Sequence, residues 1–393
     1  MLTAVLSAIL VGLLITFLNL KRVIRSHKLV PQYKGVFPSV TVIRPVKGLD
    51  VGAAENFRAA LSTGYPGEVE TIFVFDGTDD PAYEVAAQVA KECGGRVQLI
   101  VSGPPPVGRT GKLHAMIAGE KAATGELIAF SDSDTRPDQK VLRVLVETLL
   151  TTPGAGSVFV PVICDQPMKK VGDVFYAFLQ NALYAPWALL AAGSSRTLPF
   201  IMGQYMVFTR ACLAKIGGVQ CATGQLVDDM YIGSVVYKAG FLNVIAPYSL
   251  SIFSSGLSLR EFIPLYRKWF LFGRNGLPLS FVWRQWLFGA CFYAGLIGLL
   301  IALSTDHFVA AALALAILVV FCVGLAHIHR TFGGAAVPFR YWWAPSAMML
   351  IALAILISNR LLRNVTWRGR VYKVDSRAAL DVDTQPQGSS TQV

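Results

Sequence analysis

The sequence predicts a mostly parallel α/β domain carried between membrane-spanning segments. Short β-branched runs alternate with helical patterns from about Pro38 to about Gly256, as strands and helices do in a parallel sheet. Long uncharged apolar runs flank that region. The chain is 54% hydrophobic, with a mean hydropathy of +0.52. That is too apolar for an ordinary soluble protein, while the middle is too polar for a pure membrane bundle.

The elements follow in order. Leu2 to Leu20 carries no charge and is long enough to span a bilayer. Lys21, Arg22, Arg25 and Lys28 come after it, whereas a cleaved signal peptide carries its charge before the apolar core. Residues 1–22 therefore read as an anchor, with the N-terminus outside and the next domain in the cytoplasm. Residues 38–256 hold the strand patterns Val40–Ile43, Thr71–Phe75, Val97–Val101 and Leu127–Phe130, and Val158–Val162 resumes them later. Helical patterns fill the gaps, for example Ala82–Cys93 and Leu113–Ala123. Val174–Ala192 is apolar but broken by Gln180, Asn181 and Pro186. It fits an interfacial helix lying on the membrane and an internal helix equally well.

Residues 257–283 form an aromatic and basic segment. Within 284–360, the runs Trp286–Leu303, Phe308–Ala326 and Trp342–Ile357 are each long enough to span or nearly span a bilayer. Residues 361–393 are basic at first, and the polar stretch after about Arg377 has a disordered composition. One conflict follows. Four spans starting outside put the C-terminus outside, yet the cluster Arg360, Arg363, Arg368, Arg370 and Lys373 belongs inside. Either one segment is re-entrant or interfacial, or the charge rule bends here.

The net charge is +11, and its basic residues crowd beside apolar runs, where they meet anionic lipid. No basic helix with interleaved aromatics suggests a nucleic-acid reader, and nothing points to an obligate protein partner. The six cysteines contain no C-x-x-C, which excludes zinc-ribbon and thioredoxin-type readings and leaves buried free thiols on a reducing side.

Carboxylates carry the chemistry. Asp132 and Asp134 form a D-x-D after the strand Leu127–Phe130, and ligands bind at that edge of open α/β sheets. Two carboxylates so close call for a positive partner, such as a divalent cation (Mg²⁺ or Mn²⁺) that also holds phosphate oxygens. The plainer alternative is a capping turn before a helix near Gln139–Leu150. Asp79-Asp80-Pro81 suits contact with a base or ribose, and it suits a helix cap. Gly108–His114 is not a P-loop, although Lys112 has the charge to meet a diphosphate; a basic surface loop is the alternative. Asp228 and Asp229 open a helical pattern and suit either a general base or a cap. In Phe262–Trp269, Trp269 suits a sugar ring and Arg267 and Lys268 suit phosphate, while an interfacial belt has the same composition.

Taken in that order, these elements resemble family-2 inverting glycosyltransferases with a GT-A fold. The chain is most similar to ceramide glucosyltransferases and related bacterial lipid glycosyltransferases, including those of hopanoid pathways. Arg44-Pro45-Val46-Lys47-Gly48, Leu61 to Pro66, Asp79 to Ala82, Lys215 to Gly218 and Val365 to Arg370 carry the resemblance further. It extends nearly to the polar tail.

The resemblance implies three acidic stations. Asp80 takes the first, near the nucleotide; Asp132 the second, with Asp134 completing the D-x-D; Asp229 the third, as catalytic base. Lys112 matches the family lysine. The family's (Q/R)-x-x-R-W falls on Leu265 to Trp269, where only Trp269 matches and either Arg267 or Lys268 replaces the arginine. The implied activity is transfer of a hexose from a UDP-sugar to a lipid hydroxyl, with ceramide first among acceptors and inversion at the anomeric carbon. The implied location is a multi-pass membrane protein of a bacterial inner membrane rather than of the Golgi. Diacylglycerol, sterol, hopanoid or polyprenyl-phosphate acceptors are the alternatives, and a silent membrane scaffold is the one that is not an enzyme.

Overall fold

The β-branched runs form strands that pair in register. This computed structural model describes residues 1–27, 31–253, 255–361, 364–374 and 379–380, without the side chains of 274–275 and 360–361. Val40–Pro45 lies between Val69–Phe75 and Leu127–Ser131, parallel to both. Arg96–Val101 adds a parallel edge beside Val69–Phe75. Valine, isoleucine and phenylalanine fill the central strands because both sheet faces are covered; Val40, Ile72, Val74, Ile128 and Ala129 are fully buried.

The parallel half ends at Leu127–Ser131. Tyr205–Thr209 pairs antiparallel with that strand and with Ala155–Phe159. Leu242–Ile245 and the short Thr197–Leu198 complete the eight-stranded sheet. The sheet is therefore more mixed than its sequence pattern predicts. Tyr205–Thr209 is an apolar run whose periodicity cannot separate a buried strand from a helix segment.

The expected helices appear as Pro81–Cys93 and Gly111–Ala122. The parallel strands point their carboxyl ends the same way. Lys47, Asp76 and Asp132, each at or just beyond such an end, consequently gather at one rim.

Among the described residues, five helices are long and apolar enough to cross a membrane. Three of them, Leu2–Ser26, Leu279–Ser304 and Phe308–Phe332, pack together through Phe17, Phe288 and Phe321, whose ring centroids lie 5.5 and 4.9 Å apart. The first C-terminal apolar helix begins at Leu279, inside the segment read as interfacial, and Leu259–Gly276 is a separate helix capped by Ser258 and Glu261. The fourth candidate, Val171–Ser195, is mostly buried inside the protein. It is an internal helix with a π-helical turn at Leu179–Tyr184, wedged between the domain and the apolar helices. The Asp173 carboxylate joins it to the domain by accepting backbone N–H groups of Lys169, Lys170, Gly256 and Leu257 at 2.8–3.1 Å.

The last apolar helix, Ala344–Leu361, has both ends on the domain side. Trp343, just before it, meets Phe175 at 6.0 Å, and Asn359 accepts a hydrogen bond from Arg267 at 2.8 Å. After it, Asn364–Trp367 and Arg370–Lys373 form a hairpin against the domain. Lys28, Arg363 and the tail from Asp381 onward lie outside the described residues.

Candidate active site

The carboxyl rim of the parallel strands opens into a cavity of about 440 Å³. Its acidic lining is Asp50, Asp76, Asp132, Asp134, Asp228 and Asp229; its basic lining is Lys47, Lys112, Lys268, Arg368 and Arg370. The D-x-D lies in the turn between Leu127–Ser131 and Thr135–Arg136. Arg44, fully buried, holds this turn from below. Its guanidinium donates to the Ser131 hydroxyl at 3.1 Å and to the backbone carbonyls of Asp132 and Thr135 at 2.8 and 3.1 Å. Burial pushes its pKa down to about 10, still far above neutrality.

The amides at the start of the next helix are met by Asp138 and not by Asp132 or Asp134. The Asp138 carboxylate accepts from the N–H groups of Lys140 and Val141 at 2.9 and 3.0 Å. Asp132 is bound instead by the Lys112 ammonium at 2.6 Å. Burial alone would lower the pKa of Lys112, but Asp132, Asp228 and Asp229 outweigh it, and the pKa is raised. Lys112 is therefore paired with Asp132, donates to the Gly203 carbonyl at 3.4 Å, and feels the charges of Asp228 and Asp229. Thr110 starts its helix by accepting from Leu113 N–H at 3.1 Å, which sets Gly111 and Lys112 at the cavity wall.

Two carboxylates of the site are incompletely satisfied, Asp228 and Asp134, and the second belongs to the D-x-D. One Asp134 carboxylate oxygen is buried without a hydrogen-bond partner. Burial, then the charges of Asp132 and Asp50, push its pKa up to about 6. Among the described residues no cluster of three ligating side chains is preformed for a metal. An orphaned carboxylate beside a second carboxylate fits a hard cation whose shell is completed by phosphate oxygens and water.

Asp228 and Asp229 stand in the first turn of Asp228–Lys238. Asp229 accepts from Gly203 N–H at 2.6 Å and Met230 N–H at 2.8 Å, one on each oxygen. Each oxygen keeps a further lone pair for a proton. Burial, then the charge of Asp228, raises the Asp229 pKa to about 6. Gly203 is required here, because a Cβ would collide with Asp229.

The remaining sequence candidates divide. Asp80 lies behind the cavity wall; it caps Pro81–Cys93 through Ala82 N–H at 3.0 Å and binds Gly48 N–H at 2.9 Å. The capping alternative describes its contacts, and Lys47 links it to Asp76, which does line the cavity. Lys268 and Trp269 line the cavity, whereas Arg267 is turned to Asn359 and Asn364 outside that lining. Burial pushes the Lys268 pKa down to about 8, with its ammonium 5.3 Å from the Trp367 ring centroid. Sequence reasoning missed Asp50 and Asp76 as cavity-lining groups. It also gave no role to Arg44 or Gly203. Asp76 directly follows a strand it had identified, and that position was the available signal.

Residues 4–380 match glycosyl transferase family 21. The chain is 22% identical to ceramide glucosyltransferase 3 of Caenorhabditis elegans over 344 residues, 85% of this chain and 72% of that protein. It is 21% identical to ceramide glucosyltransferase 1 of the same organism over 255 residues, 62% of this chain and about half (51%) of that relative. Among solved structures it is similar to a mannosyltransferase from Pyrobaculum calidifontis in complex with GDP-Man and Mn2+. The TM-score is 0.52 at 18% identity, covering 90% of this chain and 99% of the other, a likeness of fold. The ceramide-glucosyltransferase-like resemblance and the expected GT-A fold with flanking apolar helices are both borne out. The chain belongs to glycosyl transferase family 21 and is a glycosyltransferase.

Proposed function

We propose that this glycosyltransferase moves a hexose from a UDP-sugar to the hydroxyl of a membrane lipid, ceramide first among acceptors, with inversion. The observation that carries the reading is the composition of the cavity. Its rim bears carboxylates and lysines suited to a diphosphate and a sugar, and its other wall is Tyr176, Ile252, Pro264, Leu265 and Trp269. Tyr176, Pro264, Leu265 and Trp269 belong to helices packed against the apolar segments, so an amphiphile could reach the cavity with its chains still in lipid. The names of the relatives support ceramide and glucose, and the Pyrobaculum enzyme's complex supports a nucleotide sugar and a divalent cation.

Asp132 and Asp134 would hold the cation, which supplies positive charge against the diphosphate leaving group. Lys112 holds Asp132 in place and balances the charge of Asp228 and Asp229. Asp229, oriented by Gly203 and Met230 N–H groups, takes the proton of the acceptor hydroxyl. The acceptor oxygen bonds to the anomeric carbon as the bond from that carbon to the diphosphate oxygen breaks. One displacement inverts the centre, so an α-linked donor gives a β-glycoside. Lys268 and Trp269 flank the donor, and Asp80 acts through Lys47 and Gly48.

The test is a transfer assay with purified protein, labelled UDP-sugars and a panel of lipids, read by mass spectrometry. A new acid-stable hexosyl lipid with ceramide is the expected product. An acid-labile product with polyprenyl phosphate would overturn the hydroxyl acceptor, and no transfer from any UDP-sugar would overturn the donor.

A further inference from the structure

The C-terminal hairpin has no part in the chemistry above, yet it reaches into the cavity from the far end of the chain. Thr366, Trp367, Arg368, Arg370 and Tyr372 all line it. Its two-residue turn is Arg368-Gly369, both at positive φ, 50° and 76°. Such turns favour asparagine or aspartate before glycine, and a long side chain there is disfavoured unless its surroundings hold it. They do so here. The Arg368 guanidinium lies 2.6 Å from the Asp50 carboxylate and donates to the Lys47 carbonyl at 3.3 Å. Arg370 lies 2.7 Å from Asp76. The hairpin is also fixed by Trp367, 6.0 Å from Phe272, and by the Tyr372 hydroxyl, which accepts from Gly111 N–H at 3.3 Å.

The charges do not suit an empty cavity alone. Lys112 is drawn down onto Asp132, and Lys47 spans Asp76 and Asp80. Lys268 lies over the Trp367 ring, so a diphosphate entering this rim past six aspartates is best met by further cations able to turn toward it. Arg368 and Arg370 sit on a hairpin rather than in the sheet, and their side chains remain 38% and 20% exposed. A guanidinium binds phosphate oxygens in a bidentate fork, a geometry an ammonium cannot offer.

We propose that the hairpin is a donor clasp: Arg368 and Arg370 exchange Asp50 and Asp76 for the diphosphate of the bound donor. This rests on the nucleotide-sugar reading above. The two arginines are then binding residues supplied by a segment that follows the last apolar helix, and Asp50 and Asp76 hold them in register until the donor arrives.

The experiment is calorimetric titration of the full-length protein in detergent with UDP, with GDP and with the two nucleosides, all in Mn²⁺ buffer. Hydrogen exchange of residues 364–373 is followed in parallel. Arg368→Ala/Arg370→Ala should weaken nucleoside diphosphate binding by about tenfold or more, the worth of a lost charge-assisted contact, and leave nucleoside binding unchanged. The double lysine variant should recover part of the loss. In the wild type, the diphosphate and not the nucleoside should slow exchange across the hairpin. Equal diphosphate affinity in the wild type and the double alanine variant would overturn the clasp alone. So would an equal loss for nucleoside and diphosphate, which would make the hairpin a structural cover. A wild type that binds neither diphosphate would overturn the donor reading and the clasp with it.

Discussion

Asp229 and Asp134 are both carboxyls whose pKa stands at about 6, raised first by burial. A base must be deprotonated to accept a proton, so transfer should fall about tenfold per pH unit below about pH 6 and level off above it. Asp134 titrates in the same window, so the profile reports the group of carboxylates rather than one residue. Stability runs the other way. In an unfolded chain an aspartate titrates near about 3.9. The folded state therefore binds these protons more tightly. The stabilisation is complete below about pH 4 and is lost as pH rises through about 6. A pH–rate profile flat from pH 5 to 8 would contradict the base assignment. The acidic pairs themselves were legible in the sequence, because D-x-D and Asp-Asp stand beside clear strand and helix patterns. The unpartnered oxygen of Asp134 and the fit of Gly203 against Asp229 were not, since both depend on which distant segments meet.

At the scale of elements, the D-x-D turn owes its shape to Arg44. One buried guanidinium donates to two carbonyls and a hydroxyl, and a hydrogen bond to a charged group is worth about 1.5–3 kcal/mol. Arg44→Ala should lower unfolding stability by about 3 kcal/mol or more, and Arg44→Lys should restore only part, because an ammonium cannot span the same three acceptors. Thermal unfolding in detergent checks this, and a change under about 0.5 kcal/mol, the range of an ordinary surface substitution, would remove Arg44 from the account. The four parallel strands were readable from their β-branched runs. Tyr205–Thr209 was not, because a short buried apolar run has no diagnostic period. The short strands of the hairpin gave no strand signal either; Val365 to Arg370 stood out only by resemblance.

For the whole molecule, the conflict between span number and basic tail turns on the last apolar helix. Ala344–Leu361 begins near Phe175 and ends near Arg267, so both ends of this one helix meet the domain side. Three crossing helices, with the hairpin on the domain's side of the membrane, are the arrangement this predicts. Single cysteines at Asp306 and Lys373, in a variant lacking the exposed Cys93, should react with an impermeant maleimide from opposite faces. Labelling of both from one face would contradict the arrangement. Composition made the membrane character legible, but apolarity alone cannot distinguish a helix that crosses from one that returns.

The central claim is that Asp229 takes the acceptor's proton in a cavity that binds a nucleotide sugar. The most direct measurement compares wild type and Asp229→Asn for UDP affinity and for turnover with a lipid acceptor. Asp229→Asn should lose at least about a hundredfold in turnover, the low end of what a positioned base contributes, with UDP affinity within about twofold. Turnover close to that of the wild type would contradict the claim.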